Sequence, residues 1–201
     1  ENCRMNLIND RTLWGVIGTN FCKNIVLEDC VLSRMDSHQG VSGEYTVRRT
    51  TLGTAGLNAI GRGVLTVEDS TLYGSSLVGL RGDYGSTWEG DLVIRNSRWI
   101  PGNGARLWPR LIGGGNDGMH DFGYPCAMPR TVTIDGLFVD DSNPPDNYAG
   151  FLFFDHPQPP GKDLPEERPF PYQPVRKITI RNLQTASGKP PRLPDGYTGT
   201  E

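Results

Sequence analysis

Short apolar-x-apolar segments recur along the chain, each followed by a polar pair, a small residue and another apolar residue. This alternation sends successive side chains to opposite faces of a β-strand. Six blocks align on it: NIVLEDCVL (24–32), EYTVRRTTL (44–52), VLTVEDSTL (64–72), DLVIRNSRW (91–99), TVTIDGLFV (131–139) and KITIRNLQT (177–185). They predict parallel strands at 25–28, 45–48, 65–68, 92–95, 132–135 and 178–181, stacked in one sheet.

The second residues of these blocks are separated by 20, 20, 27, 40 and 46 positions. A unit of about 20 residues with one strand each is typical of a solenoid. Leucine-rich repeats have a similar length, but their repeated Leu and fixed Asn are absent. We therefore predict an all-β right-handed parallel β-helix with coils of about 20 residues. The growing separation indicates long loops inserted in the C-terminal half, at about 100–129 and 155–174.

The composition agrees with many short strands joined by turns. The chain has 26 Gly and 16 Pro, and 36% of its residues are hydrophobic. We predict one domain over 1–201, and the start without Met suggests a piece of a longer chain. No apolar run approaches the roughly 20 residues of a membrane span, and a net charge of −3 gives no reason to expect a nucleic-acid partner.

The alignment also predicts one column of small side chains inside the solenoid. Its members are Cys3, Cys30, Thr50, Ser70 and Ser97. Buried cysteine behaves mostly as a small hydrophobe, so we interpret these thiols as packed groups. The four cysteines also lack the paired short spacings of a zinc site.

The blocks NIVLEDCVL, VLTVEDSTL and DLVIRNSRW resemble coils of the pectate-lyase-like, right-handed β-helix superfamily, and the resemblance covers most of residues 20–185. Many members are secreted or phage-borne lyases, hydrolases or epimerases of polysaccharides, and others are structural or adhesive. The resemblance implies an extracellular, periplasmic or virion-borne protein that acts on a polysaccharide. The alternative is a non-catalytic module that binds glycan or serves as a tail or adhesin structure.

Asp36 and His38 are the first candidates for chemistry, because residues two apart share one face of a strand. A histidine titrates near neutral pH, and a carboxylate can orient it or share the proton transfer. A constant 20-residue step sets these two residues beside Gly56 and Asn58. The pair is similar to the Asp-Pro-His of mannuronan C5-epimerases, although Ser37 replaces the proline. The alternative is a polar pair on a solvated coil face.

Three later segments add carboxylates, histidines and aromatic rings, the groups that sugar sites use for proton transfer and stacking. They are LRGDYGSTWEGD, GGGNDGMHDFGYP and FLFFDHPQPPG. The alternative for the first two segments is a turn that satisfies its own backbone. In the third, Asp155 and His156 are neighbours in sequence and point to opposite faces, which makes them a poorer pair than Asp36 and His38. The candidate catalytic residues are Asp36, His38, Arg81, Asp83, Asp117 and His120, and the candidate substrate-binding residues are Tyr84, Trp88, Tyr124, Asp155 and His156.

The three histidines each lie beside or two residues from an Asp. Their spacing matches no common metal motif. We therefore expect no cofactor and leave a divalent cation such as calcium open. The sequence also leaves open the sugar, the bond that is changed and the oligomeric state.

Overall fold

The computed structural model describes residues 17–102, 108–115, 126–154 and 173–197. These residues form parallel strands and one short 3₁₀ helix. The strands are β1 (Ile17–Asn20), β2 (Ile25–Glu28), β3 (Val31–Gln39), β4 (Glu44–Arg48), β5 (Thr51–Ala59), β6 (Gly61–Glu68), β7 (Thr71–Tyr73), β8 (Ser76–Leu80), β9 (Trp88–Ile100), β10 (Arg110–Gly113), β11 (Thr131–Val139), β12 (Leu152–Phe154) and β13 (Lys177–Thr185), and the 3₁₀ helix spans Gly82–Tyr84.

All six predicted strands lie side by side in one wall, which we call wall A: β2, β4, β6, β9, β11 and β13. Every pair is parallel, and the register follows the sequence alignment residue by residue. The inward column runs through Ile25, Tyr45, Leu65, Leu92, Val132 and Ile178. The long insertions therefore leave the stacking unchanged, and the predicted β-helix solenoid is confirmed.

Each strand of wall A has a bend, either directly after the strand or within it, where one residue adopts a left-handed backbone. Asn and Asp tolerate this conformation better than other residues with a side chain, and Gly adopts it freely. The residues at the bend and their φ values are Asp29 (54°), Arg49 (46°), Asp69 (47°), Asn96 (42°), Gly136 (90°) and Asn182 (52°). The Asp or Asn of the repeated polar pair is thus a turn-forming residue.

Directly after the bend lies the predicted column of small side chains. The backbone N–H of Cys30 donates to Thr50 Oγ1 at 3.2 Å, that of Thr50 to Ser70 Oγ at 3.1 Å, and that of Ser70 to Ser97 Oγ at 3.2 Å. Each side chain also donates to the carbonyl two residues before it. The column is confirmed for these four residues, whereas Cys3 lies outside the described residues.

A second wall, wall B, consists of β1, β3, β5, β8, β10 and β12. Here the constant 20-residue step is wrong, because the register shifts between Leu32 and Arg34. Asp36 consequently lies opposite Asn58, and Arg34 lies opposite Gly56. Strand β7 lies between the walls and pairs with β5 and β9.

Strand β10 corrects the prediction of a loop over 100–129. Its Leu111 and Ile112 are fully buried, and it pairs with β8 on one side and β12 on the other. Two adjacent apolar residues in a Gly-rich stretch were too short a signal to predict a strand. The segment 155–172, most of the second predicted loop, lies outside the described residues.

The interior between the walls is closed by aliphatic and aromatic side chains. Trp99 packs edge-on against Phe151 with ring centroids 5.6 Å apart, and its indole N–H donates to Gly74 at 2.8 Å. The buried carboxylate of Asp141 accepts hydrogen bonds from the Tyr148 hydroxyl and from Ser187. A buried carboxylate needs such partners, so Asp141 joins the segment after β11 to the turn after β13.

Two further features bear on sequence expectations. Cys22, Cys30 and Cys126 are free thiols. No helix in the described segments is long and apolar enough to cross a membrane.

Candidate functional site

Asp36 and His38 lie on the outer face of β3. The neighbouring side chains point inward: Met35 is fully buried, and Ser37 Oγ accepts a hydrogen bond from the backbone N–H of Ile60 at 3.0 Å. Because alternate residues of a strand face opposite sides, Asp36 and His38 share the outer face. This is the orientation that their spacing predicts.

The Asp36 carboxylate is the centre of a charged cluster. Its Oδ2 atom accepts hydrogen bonds from Arg34 Nη2 at 2.8 Å and from Arg81 Nη1 at 2.7 Å. His38 Nε2 lies 3.7 Å from the same oxygen. The Oδ1 atom is buried and accepts no hydrogen bond from the described residues. Three cationic or titratable groups therefore converge on one side of a single carboxylate.

Arg81 joins this cluster from a coil that is separated from Asp36 by strand β5. It also contacts Asp83 through two nitrogen atoms, with Nε 3.0 Å from Oδ1 and Nη2 bonded to Oδ2. Its guanidinium carbon lies 4.9 Å from the centroid of the Tyr84 ring. Arg81 thus bridges two carboxylates and covers one face of an aromatic ring.

A tight turn holds Arg81 and Asp83 in place. The 3₁₀ helix begins directly after Arg81, and Gly85 ends it with a left-handed φ of 85° while its N–H donates to Gly82 at 3.1 Å. Ser86 Oγ then accepts a hydrogen bond from the backbone N–H of Gly115 at 2.8 Å. The turn is therefore attached to the segment after β10 as well as to its own coil.

Arg81 is a permanent cation in this setting. Burial of its guanidinium lowers the pKa, but the hydrogen bonds and charges of Asp83 and Asp36 outweigh burial and raise the pKa above its ordinary value. A group that remains protonated can stabilise negative charge but cannot act as a general base. Arg81 therefore cannot serve as a base in this cluster.

The members of the cluster differ in their access to solvent. The Asp36 side chain is 5% exposed and the His38 side chain is 48% exposed, while Arg34, Arg81 and Asp83 lie between these limits. His38 is therefore the group that a large ligand reaches most easily, and Asp36 lies beneath the two arginines.

An open groove of about 510 Å³ adjoins Arg81. Its lining is almost without side chains, because most of its residues are glycine. The lining residues are Ser76, Gly79, Leu80, Gly82, Gly113, Gly114 and Gly115. Leu80 and Gly82 flank Arg81 in sequence, but no side chain of the charged cluster lines the groove itself.

The structure changes one of the two predicted aromatic contacts in the segment after β8. Trp88 is fully buried, and its ring lies 6.3 Å from that of Tyr45 in the core. It cannot stack on a surface ligand, so its prediction as a substrate-binding residue is corrected. Tyr84 remains at the cluster, with Arg81 on one face of its ring.

The remaining predicted residues lie outside the described part of the chain: Asp117, His120, Tyr124, Asp155 and His156. Arg34 was missed, although the run Arg34-x-Asp36-x-His38 places all three residues on one face by the same alternation. Among the described residues, no group of three or more His, Cys, Asp or Glu side chains is placed to hold a metal ion.

Comparison with known proteins gives one partial relative. Over 94 residues the chain is 35% identical to a protein of Klebsiella phage P510 named "Depolymerase, capsule KL64-specific". The match covers 41% of this chain and 9% of the relative, so the chain spans only a small part of that protein's length. No protein-family model and no solved structure matches the chain.

Proposed function

We propose that this chain is a carbohydrate-active segment of a phage capsule depolymerase, and that its substrate is a bacterial capsular polysaccharide. The observation that carries the proposal is the convergence of Asp36, His38, Arg81 and Asp83 in one charged cluster, next in sequence to Leu80 and Gly82 of an open groove. The partial likeness to a depolymerase of Klebsiella phage P510 supports the substrate class. A virion-borne or otherwise extracellular location follows from the same proposal.

The cluster has the groups that cleavage or epimerisation of a sugar requires. Hydrolysis needs a pair of groups that flank the glycosidic bond, and one of the pair gives a proton to the leaving oxygen. Elimination and epimerisation of a uronate sugar need a base that removes the proton from the carbon next to the sugar's carboxylate. They also need a cation that stabilises the negative charge formed there. In each case we assign proton transfer to His38, a second acid or base to Asp83, and charge stabilisation to Arg81.

Asp36 then acts mainly through its neighbours. Its Oδ2 atom already accepts hydrogen bonds from Arg34 and Arg81, and its side chain is almost fully buried. We assign it the role of holding the Arg81 guanidinium in the cluster, with His38 Nε2 at 3.7 Å from the same carboxylate oxygen. Asp36 is therefore a positioning residue in this proposal, and the exposed His38 is the group assigned to proton transfer.

The test is incubation of the protein with purified Klebsiella capsular polysaccharides of several serotypes. Hydrolysis produces reducing ends without a double bond, elimination produces unsaturated uronates that absorb ultraviolet light, and epimerisation changes sugar composition without shortening the chain. We expect one of these products with wild type and a large loss with His38→Ala or Asp83→Asn. Asp140→Asn, which removes a carboxylate paired with Arg98 elsewhere on the surface, is the matched control and should retain activity.

A non-catalytic glycan-binding module is the second candidate function. The observation in its favour is that both described carboxylates of the cluster are hydrogen-bonded to arginine. In that case wild type binds a capsular oligosaccharide in calorimetry but releases no product from any serotype. Absence of both binding and product across the panel would contradict the carbohydrate proposal as a whole.

A further inference from the structure

Strand β13 is the last strand of wall A, and one of its edges pairs with no other described strand. Its inward residue Ile180 is 43% exposed, although Ile134 and Ile94 in the same column are fully buried. Leu193, further along the same coil, is also exposed. An aliphatic strand edge of this kind is a template for another strand.

The opposite end of wall A differs. Ile25 and Leu27 of β2 occupy the inward columns there, and each is only 6% exposed. Two copies stacked head to tail would need β2 to offer open aliphatic side chains to β13, but those side chains are already covered. The exposed surface at β13 therefore does not match the other end of the same molecule.

A column of charges on the outer face of wall A indicates what β13 can accept. In register, acidic and basic residues alternate through Glu28, Arg48, Glu68, Arg95, Asp135 and Arg181. Arg48 and Glu28 make a direct ion pair with Nη2 2.7 Å from Oε1. Opposite charges directly across a strand pair stabilise it, and like charges destabilise it. Arg181 is exposed and has an acidic neighbour in register only on the β11 side.

We propose that a further solenoid coil of the same polypeptide stacks on β13 in parallel. Its strand carries aliphatic residues over Ile178 and Ile180 and a carboxylate beside Arg181. The sequence rule for this strand is aliphatic, any residue, aliphatic, acidic, which is the pattern of Ile25, Leu27 and Glu28 in β2. The proposal is independent of the proposed activity, because it depends on burial and charge in wall A.

The test is to append a copy of residues 24–43 after Glu201, so that the added strand has a high effective concentration at β13. The matched control carries Glu28→Lys in the appended copy, which keeps the aliphatic residues and reverses the charge. Amide hydrogen exchange of Ile178–Arg181 is then compared between both fusions and the original chain. We expect about tenfold slower exchange with the Glu copy and a much smaller effect with the Lys copy.

Three results would overturn the proposal. If neither fusion slows amide exchange at β13, no coil docks there. If both fusions slow it equally, Arg181 has no role in docking. Protection of the original chain that increases with protein concentration would identify a second copy as the occupant.

A separate measurement does not depend on the fusions: Ile180→Lys should leave the melting temperature nearly unchanged, whereas Ile134→Lys should unfold the protein. Equal destabilisation would show that the β13 edge is not open.

Discussion

Arg81 Nη1 lies 2.7 Å from Asp36 Oδ2, although the two residues belong to coils separated by strand β5. The same guanidinium binds Asp83, so it connects the turn after β8 to the outer face of β3. A planar fork with several donors can satisfy both carboxylates at once, whereas an ammonium group cannot reproduce that geometry. Arg81 therefore both holds the two carboxylates of the cluster together and supplies the positive charge that the proposed chemistry needs.

Arg81→Lys should destabilise the fold by about 1–3 kcal/mol, because Asp36 is nearly buried and would lose a charged hydrogen bond. Urea denaturation gives the change in the free energy of unfolding. Arg98→Lys is the comparison, since Arg98 pairs with Asp140 at an exposed site, where ion pairs contribute about 1 kcal/mol or less. Equal effects at the two sites would contradict the central role of Arg81.

His38→Ala should lower turnover of capsular polysaccharide by about 10²- to 10⁴-fold, the usual size of a general acid or base contribution. The melting temperature should change little, because the His38 side chain is half exposed. Steady-state kinetics and a thermal scan on the same sample make the measurement. A variant that loses stability while its remaining folded fraction stays active would remove His38 from the mechanism.

Cys30→Leu should destabilise the protein by about 1–3 kcal/mol, because Cys30 is packed beside Thr50 and a larger side chain would overfill the interior there. Cys30 is buried, and its backbone N–H donates to Thr50 in the next coil. Cys22→Leu is the control, since Cys22 is only partly buried and should tolerate the larger side chain better. The denaturation midpoints of both variants make the measurement. A midpoint for the Cys30 variant as high as that of the Cys22 variant would show that the column accepts a larger side chain.

Gly63→Ala should prevent folding or lower stability by more than about 3 kcal/mol. Gly63 has a φ of 112°, and an added Cβ atom would overlap the carbonyl oxygen of Gly43 in the neighbouring coil. Both strain and overlap oppose the substitution. Gly102→Ala separates the two effects, because Gly102 has a φ of 117° and no atom within 4 Å of the added carbon. Soluble yield and denaturation midpoint should therefore be much lower for the Gly63 variant.

Cys126 should react slowly with iodoacetamide at neutral pH. Burial raises the pKa of its thiol to about 12, and the thiolate is the reactive form. The neutral thiol contributes stability below the ordinary thiol pKa of about 8.5, and this contribution falls as the pH rises toward 12. Mass spectrometry of labelled peptides, with Cys22 as the internal comparison, measures the rates. Rapid labelling of Cys126 in the folded protein would contradict its burial.

Wall A could be predicted because its inward residues repeat with a period of two through every coil. The pattern from Ile25 to Ile178 therefore gives the register even where the insertions are long. Wall B could not be aligned in the same way. The register shift before Arg34 changes the residue opposite Asp36 in the neighbouring strand from Gly56 to Asn58. A register shift of this kind depends on local backbone geometry, and it produces no repeating residue pattern from which it could be predicted.

The candidate site was predictable only where residues are close in the chain. The two-residue spacing predicts the pair Asp36 and His38 and the pair Arg81 and Asp83. The contact between the two pairs depends on how β3, β5 and β8 stack. Trp88 was misassigned because nearby carboxylates in a Gly-rich segment resemble a sugar site. It begins strand β9 and pairs with Gly61, so its ring enters the core instead.

The spacing of the cluster across coils also constrains how such a protein can evolve. Neighbouring strands in a sheet are about 4.8 Å apart, so loss or duplication of the coil that contains β5 would move Arg81 relative to Asp36 in steps of that size. Point substitutions adjust the cluster gradually, whereas changes in coil number alter the distance between its charged groups abruptly. Under the proposed function, a lineage that exchanges whole coils changes the polysaccharide it recognises in one event, while the left-handed bends and the column of small side chains keep the fold intact.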